Sequence, residues 1–149
     1  MLSRVRGEFS NFFIPGFFSH AAIYTGRETV IEAVTAGVRE TDLVTFLTRK
    51  DYVVVVDPIW PTESERARAI AWATRQLGKP YDYEIELGYK TFYCFELTYA
   101  AYKEACDNGE TCWKLYEKFG VKTIVGDDFL NAADKWRVEF DSRAIATPH

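Results

Sequence analysis

The sequence predicts an α+β fold in which a central antiparallel sheet of roughly four to six strands carries a helix packed against it. Three observations support this. Residues 18–24 and 29–34 are apolar, β-prone runs separated by Thr25-Gly26-Arg27-Glu28, the pattern of a hairpin. Tyr52 to Val56 sets four valines behind a tyrosine, a run expected of a strand buried on both faces. Two segments with helical spacing and start signals follow, one after Pro61 and one from Cys94.

Taken in order, Pro15-Gly16 closes an aromatic stretch, Phe9 to Phe13, for which a short helix and an edge segment are both open. The hairpin and the valine strand come next, and Asp57-Pro58 ends the latter. Thr62 then stands as an N-cap with Glu65 three residues on, the capping-box spacing. That helix is expected to run to Leu77 before Gly78 stops it, burying Ala67, Ile70, Ala71, Thr74 and Leu77. Lys79-Pro80-Tyr81-Asp82 cannot continue a helix, because proline lacks a donor and restricts its predecessor, so a loop leads to Cys94. From Cys94 to about Ala105 the positions Leu97, Ala100, Ala101 and Glu104 recur at helical spacing, placing the cysteine in the first turn. Trp113 to Phe119 reads as a short helix, Gly126-Asp127-Asp128 opens another through Trp136, and Val138 to Phe140 forms a last strand.

A chain of 149 residues with 48% hydrophobic side chains has enough apolar surface for one core, so residues 1–149 are read as a single domain. The net charge of −4 and the scatter of basic residues argue against nucleic acid as a partner. No apolar run approaches the roughly 18 residues of a membrane-spanning helix. Met1 to Glu8 lacks the continuous apolar core of a signal peptide. Cysteines 94, 106 and 112 are odd in number and have no CxxC spacing. They imply reduced thiols, no metal site and a cytoplasmic setting, with export by another route left open and Cys106 and Cys112 structural or incidental. Oligomeric state is not legible.

The chemistry centres on His20, one of two histidines, and Cys94. If the hairpin loop is Thr25, Gly26 and Arg27, Tyr24 pairs with Glu28 and His20 lies directly opposite Glu32 on the same face. A carboxylate there accepts the imidazole proton and fixes its tautomer, the orienting role of a triad's third member. A register shifted by one residue would send Glu32 to the other face. Cys94, at a helix start, sits near free backbone N–H groups that favour a thiolate and can hold an oxyanion. Cys106, at a helix C-terminus, has no such setting. Each residue alone also has a plain reading: a strand histidine satisfied in place, a cysteine that packs, a solvent-facing glutamate. Tyr81, Tyr83, Tyr89 and Tyr93 would by default be core or cleft wall, and His149 is a terminal residue.

The motifs in combination carry a resemblance. Phe18-Ser19-His20-Ala21-Ala22-Ile23-Tyr24, Val30-Ile31-Glu32-Ala33, Leu77-Gly78-Lys79-Pro80-Tyr81-Asp82 and Tyr93-Cys94-Phe95-Glu96-Leu97 resemble the YiiX/YaeF-like permuted papain-fold amidases of the NlpC superfamily. The order histidine, acid, cysteine is that of the permuted group. The resemblance implies a circularly permuted papain-like fold with the nucleophile at the N-terminus of a packed helix. It makes Cys94 the nucleophile, His20 the base and Glu32 its orienter, with Tyr93 and then Tyr81 as candidates to line the site or stabilise the oxyanion. It also implies amide hydrolysis on a small peptide or peptidoglycan-like substrate without a cofactor. Two rivals stand beside it: a lipid-directed acyltransferase or thioesterase using an acyl chain against Phe12, Phe13, Phe17, Phe18 and Phe95, and a non-catalytic binding module. Two positions depart from the family pattern. Phe95 replaces a small serine, and the strand that usually opens with Gly-Asp before the histidine motif is reduced at best to Gly7-Glu8-Phe9.

Overall fold

Along His20 to Tyr24, side chains alternate between two faces of a strand, and that division organises the molecule. A computed structural model describes residues 1–6, 16–84, 88, 90–107, 116–118, 121–131 and 134–144. The elements in chain order are β1 (Leu2–Arg4), β2 (His20–Tyr24), β3 (Thr29–Val34), β4 (Gly37–Asp42), α1 (Leu43–Leu47), β5 (Tyr52–Pro58), α2 (Glu63–Thr74), α3 (Cys94–Ala105), β6 (Tyr116–Lys118), β7 (Val121–Thr123), α4 (Gly126–Asn131) and β8 (Trp136–Asp141). Six strands form one sheet in the order β4-β3-β2-β1-β5-β8, and β6 pairs with β7 apart from it. Each neighbouring pair in the large sheet is antiparallel.

Helices α2 and α3 cover one face. Ile23, Ile31, Ala33 and Val38 of the sheet pack against Ala69 and Ala73 of α2 and Leu97, Ala100, Ala101 and Ala105 of α3. Leu2, Ala21 and Val54 meet Cys94, Phe95 and Tyr99 of α3, with Phe129 and Trp136 closing the end of that cluster. The other face is covered by α1, whose Phe46 packs on Ala22 and Val30.

Several expectations are corrected. β1 comes earlier than the Gly7 remnant and lies mid-sheet between β2 and β5, while Gly7 to Phe9 and the rest of the aromatic stretch lie outside the described residues. The capping box at Thr62 and Glu65 forms, but α2 buries Glu65, Ala69 and Ala73 instead of Ala67, Ala71, Thr74 and Leu77. Small alanines let α2 lie close against α3, so the stripe that looked more apolar is left outward. Val53 and Val54 are buried whereas Val55 and Val56 are only partly so, because β5 lies next to the edge strand β8. Residues 116–118 form strand β6 where a helix was expected, and the remainder of 113–119 lies outside the described residues. α4 ends at Asn131, and Trp136 opens β8.

The thiol expectation is also overturned. Cys94 is free, but Cys106 is in a disulfide whose other half falls outside the described residues. An odd count leaves one free thiol whatever the others do, so it never argued for reduction, and the cytoplasmic expectation loses the chemical ground it stood on. Among the described residues no helix is long and apolar enough to cross a membrane.

One junction fixes the start of the segment that leads toward Cys94. Gly37 has φ of +103°, and a Cβ there would lie 2.6 Å from the Lys79 carbonyl oxygen. The same carbonyl accepts the Val38 N–H at 2.8 Å, and Val38 in turn accepts the Gly78 N–H at 2.9 Å. Gly37→Ala is expected to cost about 1–3 kcal/mol through left-handed strain and displacement of the 78–80 segment. Urea unfolding checks this, and an unchanged midpoint would contradict it.

Candidate active site

The hairpin turn sets the histidine against its carboxylate. Gly26 and Glu28 both have positive φ, +80° and +59°, so the loop is Gly26-Arg27-Glu28 and the pair that closes it is Thr25 and Thr29. Thr25 donates its N–H to the Thr29 carbonyl at 3.0 Å, and their hydroxyls share a 2.7 Å bond. Loop length is as expected, but it begins one residue later, so the register moves by two and Glu32 faces Ala22. An even shift leaves every side chain on its expected face. Glu32 is therefore a diagonal neighbour of His20, within reach for two long side chains. His20 Nε2 donates to Glu32 Oε2 at 2.8 Å.

Strand β4, which the sequence reading had not used, completes the carboxylate's environment. Arg39 stands directly opposite Glu32 and Thr41 opposite Val30, so both point to the same face. Glu32 Oε1 accepts Arg39 Nε at 3.1 Å, Arg39 Nη2 at 2.9 Å and Thr41 Oγ1 at 2.7 Å. The signal available in the sequence was the i, i+2 spacing of Arg39 and Thr41 in a strand following the acid. Glu32 is 3% exposed. Burial raises its pKa, but hydrogen bonds and charge from His20, then Thr41 and Arg39, outweigh it and bring the group down to about 2.

The segment before β2 is fastened from the far side. Asp127, in the first turn of α4, accepts the Phe17 N–H at 3.0 Å. This holds residues 17–19 beside the start of α3, where Cys94 is the first residue and Tyr93 the N-cap. Cys94 is 2% exposed, and its Sγ lies 3.9 Å from the Ser19 carbonyl oxygen. The His20 side chain lies close enough to this thiol for their interaction to favour the charged form of the ring. With Nε2 committed to Glu32, Nδ1 is the ring nitrogen that remains to serve the sulfur. Burial opposes charging of the ring, yet the interactions with Cys94 and Glu32 prevail and its pKa is raised, against a lowering influence from Lys50. Phe46 of α1 backs the ring at a centroid distance of 6.1 Å.

The two tyrosines separate. Tyr93 is 3% exposed, and its hydroxyl accepts the Ile124 N–H at 3.2 Å, so it braces the start of α3 against the segment entering α4. Tyr81, half-buried, forms a bridge to Phe92 ahead of the cysteine. Burial, then the fields of Cys94 and Asp82, push its phenol upward, which keeps it a neutral O–H donor. The aromatic wall expected for an acyl chain is not present in the described residues: Phe18 and Phe95 are in the core at 0% and 1% exposure, and Phe17 stacks on Phe18 and Tyr52. Phe12 and Phe13 lie outside the described residues. A cavity of about 320 Å³ between β2, β5 and the helices is lined by residues such as Ile23, Val56, Thr98 and Tyr102 and by none of Cys94, His20 and Glu32.

A carboxylate, an imidazole and a thiol in contact order suit nucleophilic acyl transfer. A family model described as permuted papain-like amidase enzyme, YaeF/YiiX, C92 family matches residues 1–139. No curated protein matches the chain. Among solved structures, the crystal structure of metalloprotein YiiX from Escherichia coli O157:H7 is similar, with a TM-score of 0.60 at 20% identity. The match covers 80% of this chain and 79% of that one, and it is a likeness of fold. Among the described residues of this chain, no three His, Cys, Asp or Glu side chains are grouped to hold a metal ion, and no step below uses one.

Proposed function

We propose that this chain, which belongs to the permuted papain-like amidase family of YaeF and YiiX, cleaves an amide bond through Cys94, His20 and Glu32. The observation that carries the reading is the His20 ring bonded on Nε2 to Glu32, one residue on from the Ser19 carbonyl that Cys94 Sγ meets at 3.9 Å.

In the proposed cycle His20 takes the Cys94 proton and sulfur attacks the substrate carbonyl carbon. The Cys94 N–H, at the start of α3, and the neutral Tyr81 hydroxyl hold the developing oxyanion. The imidazolium returns its proton to the leaving amine as the C–N bond breaks, giving a thioester and a free amine. A water deprotonated by His20 then attacks the thioester carbonyl, and the sulfur leaves to regenerate the pair. A small peptide amide is the substrate class. The burial of Phe18 and Phe95 favours it over a long acyl chain.

Alkylation by iodoacetamide tests the pairing without knowledge of the substrate. Wild-type Cys94 is expected to react readily at neutral pH, and His20→Ala to slow it by roughly tenfold or more. Equal rates for the two proteins would sink the proposal and leave the non-catalytic binding module as the better reading.

A further inference from the structure

Glu96 is 1% exposed, two residues after the nucleophile, and no step above uses it. It occupies the third position of α3, from which a carboxyl can reach back to the N-cap amide. It accepts the Tyr93 N–H there, while the Tyr93 side chain supplies no cap of its own. Its Oε1 also accepts the Gly88 N–H at 2.6 Å, and its Oε2 has no hydrogen-bond partner among the described residues. Asp82, buried at 5% exposure, acts on it electrostatically. Asp82 belongs to the strand-like segment whose Tyr81 pairs with Phe92, and its N–H bonds the Phe92 carbonyl at 3.1 Å. One carboxyl thus joins the N-cap of the nucleophile helix to the loop ahead of it, beside the segment that carries Tyr81.

This placement has a consequence for the reacting atoms. The first N–H groups of a helix have no partner within the helix. Glu96 satisfies the one at Tyr93 and leaves that of Cys94 for the oxyanion. It also holds the Phe92–Tyr93 peptide plane, one residue ahead of Cys94, and so the path by which the chain enters the helix that carries Sγ. We propose that Glu96 is a positioning residue of the amidase site, acting through the Tyr93 amide and Gly88 to set the Cys94 sulfur and N–H against the substrate carbonyl. The inference rests on the amidase reading given above.

The charge state favours the same role. Burial, opposed by the Gly88 and Tyr93 N–H groups and reinforced by Asp82, pushes Glu96 up to about 7. Below that pH it is a neutral acid and adds no negative charge beside the thiolate. Glutamine copies that form, since its carbonyl can accept the two N–H groups and it carries no charge.

The experiment compares kcat, KM and iodoacetamide alkylation at pH 6 for wild type, Glu96→Gln, Glu96→Ala and Thr62→Ala. The last loses the cap of α2 and serves as a stability-matched comparison away from the site. Glu96→Ala is expected to lower kcat roughly 10- to 100-fold with KM nearly unchanged. Glu96→Gln should stay within about threefold of wild type, and Thr62→Ala should keep wild-type kcat. Should alanine prevent folding, Glu96→Asp, which withdraws the carboxyl by one methylene, is expected to show the same kcat loss. Wild-type kcat in Glu96→Ala or Glu96→Asp, or Glu96→Gln as poor as Glu96→Ala, overturns the proposal. His20→Ala alkylating as fast as wild type would instead mark failure of the amidase reading itself.

Discussion

Glu32→Gln is expected to lower kcat by about 10³- to 10⁴-fold while the protein stays folded. The size of the effect follows from the proton inventory. Glu32 Oε1 already takes three donors, two from Arg39 and one from Thr41. In the glutamine variant the carbonyl oxygen must therefore stay with Arg39 and Thr41, and the amide NH₂ turns to His20. An NH₂ group can only donate, so Nε2 becomes the acceptor and the ring proton moves to Nδ1, the nitrogen left to serve the sulfur. A ring protonated there cannot accept the thiol proton, and the base is lost without any atom being removed. Glu32→Ala is expected to cost stability as well, about 1–3 kcal/mol, since it takes the buried acceptor from His20 and Thr41 while the half-exposed Arg39 can turn to water. Wild-type kcat in Glu32→Gln would remove the acid from the mechanism.

The same pair gives a pH signature with a definite sign. Glu32 is lowered from 4.5 to about 2, so its contribution to stability is complete above 4.5 and fades as pH falls toward 2. His20 is raised above 6.5, so its contribution is complete below 6.5 and is lost as pH rises through the higher folded value. Wild type should exceed Glu32→Gln in unfolding free energy most between about pH 4.5 and 6.5, with the gap closing in acid. A gap that widens toward pH 2 would be incompatible with these shifts.

The second large effect is at the nucleophile. Cys94→Ala is expected to abolish amide turnover, by about 10⁴-fold or more, and to change stability by only about 1 kcal/mol. The sulfur is packed at 2% exposure, but alanine fits the first turn of a helix and the hydrogen bond lost is the long, weak one from Sγ to the Ser19 carbonyl. Cys94→Ser should also be nearly inactive, because the imidazole is arranged for a thiol and a hydroxyl gives up its proton far less readily. Turnover within tenfold of wild type in purified Cys94→Ala would show that the chemistry lies elsewhere. The wild-type thioester intermediate offers a parallel check by mass spectrometry after rapid acid quench.

How much of this was legible depended on whether the signal was local. The Thr62 capping box, the start of α3 at Cys94 and the β-prone runs are written in adjacent residues, and each appears where the spacing put it. The hairpin was placed two positions out of register because Glu28 was given a strand conformation, whereas it turns left-handed and passes the closing pair to Thr25 and Thr29. The His20–Glu32 contact survived because side-chain direction in a strand depends only on parity. Long-range packing was the illegible part. Which stripe of α2 faces inward is decided by how closely α3 approaches, and alanine is apolar enough to serve on either side. Tyr93 looked like a site residue from its adjacency to Cys94, yet the turn into the helix sends its hydroxyl to Ile124. Arg39 and Thr41 offered only an i, i+2 spacing, which gains a meaning once β4 pairs with β3.

The contact between Cys94 and the Ser19 carbonyl joins residues 75 positions apart in the chain. Nothing local brings them together: β2 must pair with its neighbours and α3 must dock before sulfur meets imidazole. A ribosome-bound chain that has exposed the histidine for some time therefore carries no activated thiol, and Cys94 on an undocked helix reacts like any other cysteine. On the proposed mechanism, activation of Cys94 depends on these long-range contacts being in place. The enzyme is thereby silent toward bystander amides while it is being made, and a thiol-directed probe applied during refolding would report the moment of assembly.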